Sequence, residues 1–139
     1  MKLMIIVKAN EHSEAGIPPS TELLTNMMKY NEELVNAGIM LSGEGLQPSS
    51  KGKRVKFSGQ QRTVTDGPFA ETKELIAGFW IWKVQSMDEA VEWLKKAPFR
   101  ADEVVEIRAF QSLEEFGENL TPELRAENER LYEMLGAKK

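Results

Sequence analysis

Carboxylates set among glycines are the residues of this chain with the clearest chemistry. Asp66 precedes Gly67, Pro68 and Phe69 in TVTDGPFAETKEL, and Glu44 stands between Gly43 and Gly45 in SGEGL. A carboxylate at a strand end can accept backbone N–H groups and fix an Asx-type turn. Pointed into a dry cavity, the same group becomes a proton acceptor whose pKa desolvation raises. Both roles are open to Asp66. Gly67, followed by proline, is expected to take a positive φ. For Glu44, the flanking glycines remove bulk and suit a strand end beside a cavity; an exposed loop glutamate is the alternative. Two carboxylates at one cavity would push their pKa values apart and form an acid–base pair. They could equally recruit a divalent cation through oxygen ligands, although two are too few without water or a substrate, and no residue is assigned as a metal ligand.

Candidate ligand contacts surround this pair. Gly67, Pro68 and Phe69 belong to the turn itself. Lys73, between Glu71 and Glu74, either faces water or neutralises Asp66 or an anionic ligand. Trp80 and Trp82 share a strand face with Val84, and Arg108 shares one with Val104 and Glu106. An aromatic face with one arginine suits a small aromatic acid, whose carboxylate Arg108 would grip in a fork. Alternatively the tryptophans fill a sheet or an interface, and Arg108 pairs with a neighbouring glutamate.

Several chemistries are excluded. The chain has no cysteine, which removes disulfides, zinc–thiolate sites and cysteine nucleophiles. His12 is the single histidine, so a Ser-His-Asp arrangement would have to pass through it. The glycines around Glu44 are not followed by a helix and lack dinucleotide-loop spacing; no phosphate loop is present either, so no cofactor is expected. A formal net charge of −4 and a pI near 5.2 disfavour nucleic acid as a partner. Near the start, the apolar run LMIIV is too short for a signal peptide or a membrane span and reads as a strand. A soluble, cytoplasmic protein without a membrane partner is the expectation.

The elements that position these residues follow from periodicity. At 139 residues the chain suits one main domain with a core of its own. KLMIIVK (2–8) alternates as a strand with apolar residues on both faces. Residues 9–19 read as a polar loop. Ser20 caps a helix over 21–37, which Gly38 ends. IMLSGEG (39–45) is a strand, KRVKF and QRTVTD form a hairpin around Ser58-Gly59, and AGFWIWKV (77–84) is a strong strand. Ser86 and Glu89 make a capping box for a helix that stops at Pro98. EVVEIRAF (103–110) is the last strand, and a third helix capped by Thr121 occupies 121–139.

Without the inserted hairpin the order is β-α-β-β-α-β. It predicts an α+β, ferredoxin-like split βαβ sandwich with two helices on one face of an antiparallel sheet. Two helices cover one side only, yet two central strands are apolar on both. The open side would expose an aromatic pair, either Trp80 and Trp82 or their neighbours, which exceeds what a monomer tolerates. A homodimer with open faces together resolves this.

GEGLQP (43–48) followed by TDGPFAETKELIAGF (65–79), with the flanking strands, resembles the DGPF-motif group of the YCII-related family. The resemblance covers roughly residues 1–110. It implies a family domain over 1–112, a helical extension over 113–139, and a dimeric α/β barrel enclosing a cavity between two ferredoxin-like sheets. Some relatives are similar to small enzymes of aromatic degradation with a histidine–aspartate pair. Their histidine lies near the start of the first helix, where this chain reads PPSTELLTNMMKY. The expected activity is proton transfer, isomerisation or elimination on a small molecule at the dimer interface, with Asp66 or Glu44 as base. A non-catalytic small-ligand-binding or interaction module is the alternative.

Overall fold

The structure is a computed structural model that describes residues 1–137. The chain divides into two compact units, the first spanning Met1–Ala109 and the second beginning at Phe110. The first unit is built from strands β1 (Lys2–Lys8), β2 (Met40–Gly45), β3 (Lys53–Ser58), β4 (Gln61–Asp66), β5 (Ile76–Lys83) and β6 (Val105–Ala109). Its helices are α1 (Glu11–Glu14), α2 (Thr21–Asn36) and α3 (Met87–Leu94). The second unit holds α4 (Pro122–Ala137), capped by Thr121, whose Oγ1 accepts from Leu124 N at 3.2 Å. The last two residues of the predicted tail helix, 138 and 139, lie outside the described residues.

Four strands form one antiparallel sheet in the order β2-β5-β1-β6, the ferredoxin-like arrangement expected from β-α-β-β-α-β. Among the described residues β3 and β4 pair only with each other, as a separate hairpin. The expected caps are in place, with Ser20 accepting from Leu23 N and Ser86 from Glu89 N, both at 3.1 Å. Glu89 reaches one residue further back than a capping box requires, to Gln85 N at 2.8 Å. Gly38 follows α2 at φ +74, the left-handed geometry that glycine adopts without strain. The short helix α1 was not expected. Asn10 and Ser13 cap each other across the short helix α1, inside a segment read as loop.

The register decides which residues share a face. Leu3 is opposite Trp82, Ile5 is opposite Trp80 and Ile107, and Gly43 is opposite Trp80. That side carries the core, where Leu3, Ile5, Trp80, Trp82 and Val84 pack with Tyr30 and Leu34 of α2 and Ala90 of α3. On the other side lie Met4, Ile6, Phe79 and Ile81, outside that core. Among the described residues no helix is long and apolar enough to cross a membrane.

Candidate functional site

The DGPF turn is tied down by residues distant in sequence. Gly67 N donates to Gly52 O at 3.0 Å, and Phe69 N donates to Ser49 Oγ at 3.1 Å. Ser49 in turn donates from Oγ to Glu14 Oε2 at 2.5 Å and from its backbone N to Glu14 Oε1 at 2.9 Å. One carboxylate on α1 thus holds the 48–52 loop, and the loop holds the turn. A Cβ on Gly67 would stand 1.7 Å from Ser49 O, so no larger residue fits there. This corrects the expected positive φ, since Gly67 is not among the left-handed glycines; it is demanded by close backbone approach. Its bond to Pro68 is cis.

Asp66 ends β4 opposite Lys53 and forms an ion pair with that lysine's Nζ. The expected Asx-type bonds to backbone N–H groups are replaced by this cross-strand pair. Both side chains are largely exposed, at 66% for Lys53 and 75% for Asp66. Lys73, the other expected partner, lies elsewhere. It lines a hollow of about 500 Å³ with Lys8, Thr72, Asp102 and Glu103. His12 is exposed on α1. Phe69 carries the Arg54 guanidinium over its ring, 3.9 Å from the centroid. Both border a second hollow of about 480 Å³, with Lys51, Leu46, Pro48 and Leu75 among its walls.

Glu44 belongs to the sheet face opposite the one that α2 and α3 cover. Strand register lines up Glu44, Phe79, Ile6 and Glu106 in one row, and Ser42, Ile81, Met4 and Arg108 in the next. Four strands in succession put Glu44 and Glu106 about 14 Å apart across an apolar centre. Ile6 is buried, while Met4, Phe79 and Ile81 are half-buried and Glu44 is exposed. Arg108 reaches Glu106 at 3.9 Å through Nε, and Lys8 reaches the same carboxylate at 3.5 Å. The Arg108 side chain keeps 73% of its surface free.

Trp80 and Trp82 are not on this face. They lie beneath the helices, in ring contact at 5.9 Å, and Trp82 has no exposed surface. Trp80 Nε1 donates to Asn31 Oδ1 at 2.9 Å, and its ring meets Tyr30 edge-on at 5.9 Å. The ligand wall expected of them is corrected to core filling, because both faces of β5 are apolar and the helices cover the tryptophan side. Gly43 owes its identity to the same packing: a Cβ there would meet Trp80 Cδ1 at 2.6 Å. Tyr30, buried against this cluster, donates its hydroxyl to Trp93 O at 2.7 Å. Burial, and after it the Glu33 carboxylate, pushes its phenol well above the ordinary 10.0.

Asp66, Gly67, Pro68 and Phe69 therefore sit at the base of the hairpin, Glu44 and Arg108 on the sheet face away from α2 and α3, and Lys73 in a third place. Among the described residues no group of three or more His, Asp or Glu is positioned to hold a metal. Glu14, Ser49 and Arg54 were not anticipated from the sequence. Their links span 35 residues for Glu14–Ser49 and 20 for Ser49–Phe69, and no local motif announces such distant bonds.

Comparison with known proteins adds three findings. A family model described as YCII-related domain matches residues 1–113. An uncharacterised protein of Rhizobium meliloti (strain 1021) is 30% identical over 73 residues. The match covers 52% of this chain and 59% of that protein, less than two thirds of the relative's length. The solved structure of 5-chloro-2-hydroxyhydroquinone dehydrochlorinase (TftG) from Burkholderia phenoliruptrix AC1100, in complex with 2,5-dihydroxybenzoquinone, is similar with a TM-score of 0.42 and 20% identity. The alignment covers 81% of this chain and 96% of that one.

Proposed function

The chain belongs to the YCII-related domain family, and from that premise we propose that it acts on a small molecule as a homodimer, in a chamber between two open sheet faces. The single observation that carries this reading is the double row on the sheet face opposite α2 and α3. Phe79, Ile6, Ile81 and Met4 give an apolar floor, bordered by Glu44 at one edge and by Glu106 and Arg108 at the other. Such a floor attracts an apolar body, and a guanidinium with most of its surface free attracts an acidic group on it. Glu44 then supplies the carboxylate for proton transfer, and a second subunit closing over the floor excludes water from the reacting molecule.

The hairpin supports a second subunit independently. Every residue of β3 and β4 is exposed, and Val55, Val64 and Phe57 share one face of the pair. A two-stranded ribbon is marginal in water by itself, and an apolar face on it calls for cover. Asp66 serves here as the ribbon's closing ion pair with Lys53 rather than as the base.

The test has two stages. Sedimentation should give a dimer for the native chain and a monomer for Phe79→Lys, whose charge would be buried without a partner. Thermal-shift screening of small carboxylic acids should then find compounds that stabilise the native protein and not Arg108→Met. Among those, turnover lost on Glu44→Gln with binding kept identifies an enzyme, and binding without turnover in the native chain identifies a carrier or sensor. A native protein that remains monomeric at high concentration overturns the reading.

A further inference from the structure

We infer that the hollow beside the DGPF turn is a binding site for a small monocarboxylate with an apolar body, gripped by Arg54. The site is separate from the sheet-face chamber, since none of its walls belongs to the Glu44 or Arg108 rows. Its volume of about 480 Å³ lies in the range that small organic ligands occupy.

The Arg54 guanidinium carbon lies over the Phe69 ring, 3.9 Å from its centroid, and among the described residues the side chain has no carboxylate partner. A guanidinium stacked on a ring has lost most of its freedom already, yet keeps its N–H edge available. That edge is the part that grips a carboxylate in a two-point fork. Lys51, on the same wall, adds a second cation with no ion pair among the described residues. By contrast Lys53 is already matched by Asp66.

The remaining walls choose the ligand's body and charge. Leu46, Pro48, Leu75 and Ile76 are apolar, and Leu46 and Ile76 leave about half their surface to be covered. An aromatic or short branched skeleton fits them. Glu14 and Glu74 also line the hollow, so a multiply charged anion such as phosphate would meet two like charges. One carboxylate on an apolar body avoids that conflict. The support is rigid: Phe69 is fixed through Ser49, and Ser49 through both oxygens of Glu14. The motif's phenylalanine is thus a platform that holds a cation in readiness.

Benzoate is the probe, with benzyl alcohol as its uncharged counterpart, and titration calorimetry on the full chain is the measurement. Benzoate should bind in the millimolar range or tighter, and benzyl alcohol about tenfold more weakly or not at all. Arg54→Met should weaken benzoate by about tenfold or more, because it keeps the apolar stem over Phe69 and removes the fork. Arg54→Lys should lie between. Amide shifts on titration should centre on residues 46–54 and 69–76. Benzoate-induced amide shifts at residues 46–54 and 69–76 that survive Arg54→Met overturn the proposal, as does a native protein that ignores benzoate. Neither result bears on whether two subunits close over Glu44.

Discussion

Gly67 and Ser49 are in backbone contact: a β-carbon on the glycine would come within 1.7 Å of the serine's carbonyl oxygen. The nearest atoms are main chain, which cannot rotate out of the way as a side chain could. Gly67→Ala therefore forces the 48–52 loop and the turn apart, and breaks the bonds from Gly67 N to Gly52 O and from Phe69 N to Ser49 Oγ. Overpacking of this kind costs about 3 kcal/mol, at the upper end of its range, because no partner yields. Denaturant unfolding of native and variant chains reads it directly. A loss no greater than that of an ordinary exposed Gly→Ala change would show that the contact relaxes cheaply.

The Glu14 carboxylate accepts two bonds from one residue, Ser49, and Ser49 accepts one from Phe69. Glu14→Ala leaves a backbone N–H and a hydroxyl without their acceptors in a half-buried place, a loss of about 1–3 kcal/mol. Glu14→Gln keeps one acceptor and should lose about half as much. Amide hydrogen exchange at Ser49 and Phe69 distinguishes this chain of bonds from a general effect: both should exchange faster in Glu14→Ala while Trp80 and Trp82 stay protected. Uniform acceleration would mean that Glu14 acts on the whole fold.

How far the sequence could be read is clearest on β5. Its place, its partners and the order of the sheet follow from alternation in AGFWIWK and from the helices on either side. Which face turns to the helices does not follow, because Trp80 and Trp82 on one side and Phe79 and Ile81 on the other are equally apolar. The deciding feature is volume. Gly43 stands opposite Trp80, and only a residue without a β-carbon leaves room for the indole. Once register is known, that glycine points to the covered side; without register it looks like a turn residue beside Glu44. The DGPF turn shows the same limit, since its bend is legible in Gly67-Pro68 while its anchors Ser49 and Glu14 are set by folding of distant segments.

Shielding of the tryptophans follows from this arrangement and belongs to the subunit itself. Gly43→Ala should expose it: the new methyl would meet Trp80 Cδ1 at 2.6 Å and Met40 Cε at 2.9 Å. The methionine can give way, whereas the indole is held by its bond to Asn31 and by Tyr30. A cost of about 1–3 kcal/mol is expected, with a red shift of tryptophan emission as Trp80 is displaced toward water. An unchanged spectrum with unchanged stability would place the indole further from Gly43 than 2.6 Å implies.

Tyr30 joins α2 to the end of α3 through its hydroxyl and Trp93 O, and it makes stability depend on alkaline pH. Burial, then the nearby Glu33 charge, raises its pKa in the folded chain above the ordinary 10.0 that the unfolded chain retains. The folded state therefore holds this proton more tightly. Below the unfolded value both states are protonated and the full stability is present. Above it the unfolded chain releases the proton while the folded chain keeps it, so stability falls as pH rises, by at most about 1.4 kcal/mol per unit, until the folded value is reached. Tyr30→Phe removes the ionisation and should flatten that part of the curve. At neutral pH the same change should cost about 1 kcal/mol, because the Trp93 carbonyl loses its donor. Lysines titrate in the same alkaline window, so the quantity to measure is the difference between native and variant unfolding free energies as pH is raised through 10.0. That difference should shrink and then change sign, making the variant the more stable chain in strong alkali. Parallel curves would show that the phenol reaches water before it ionises.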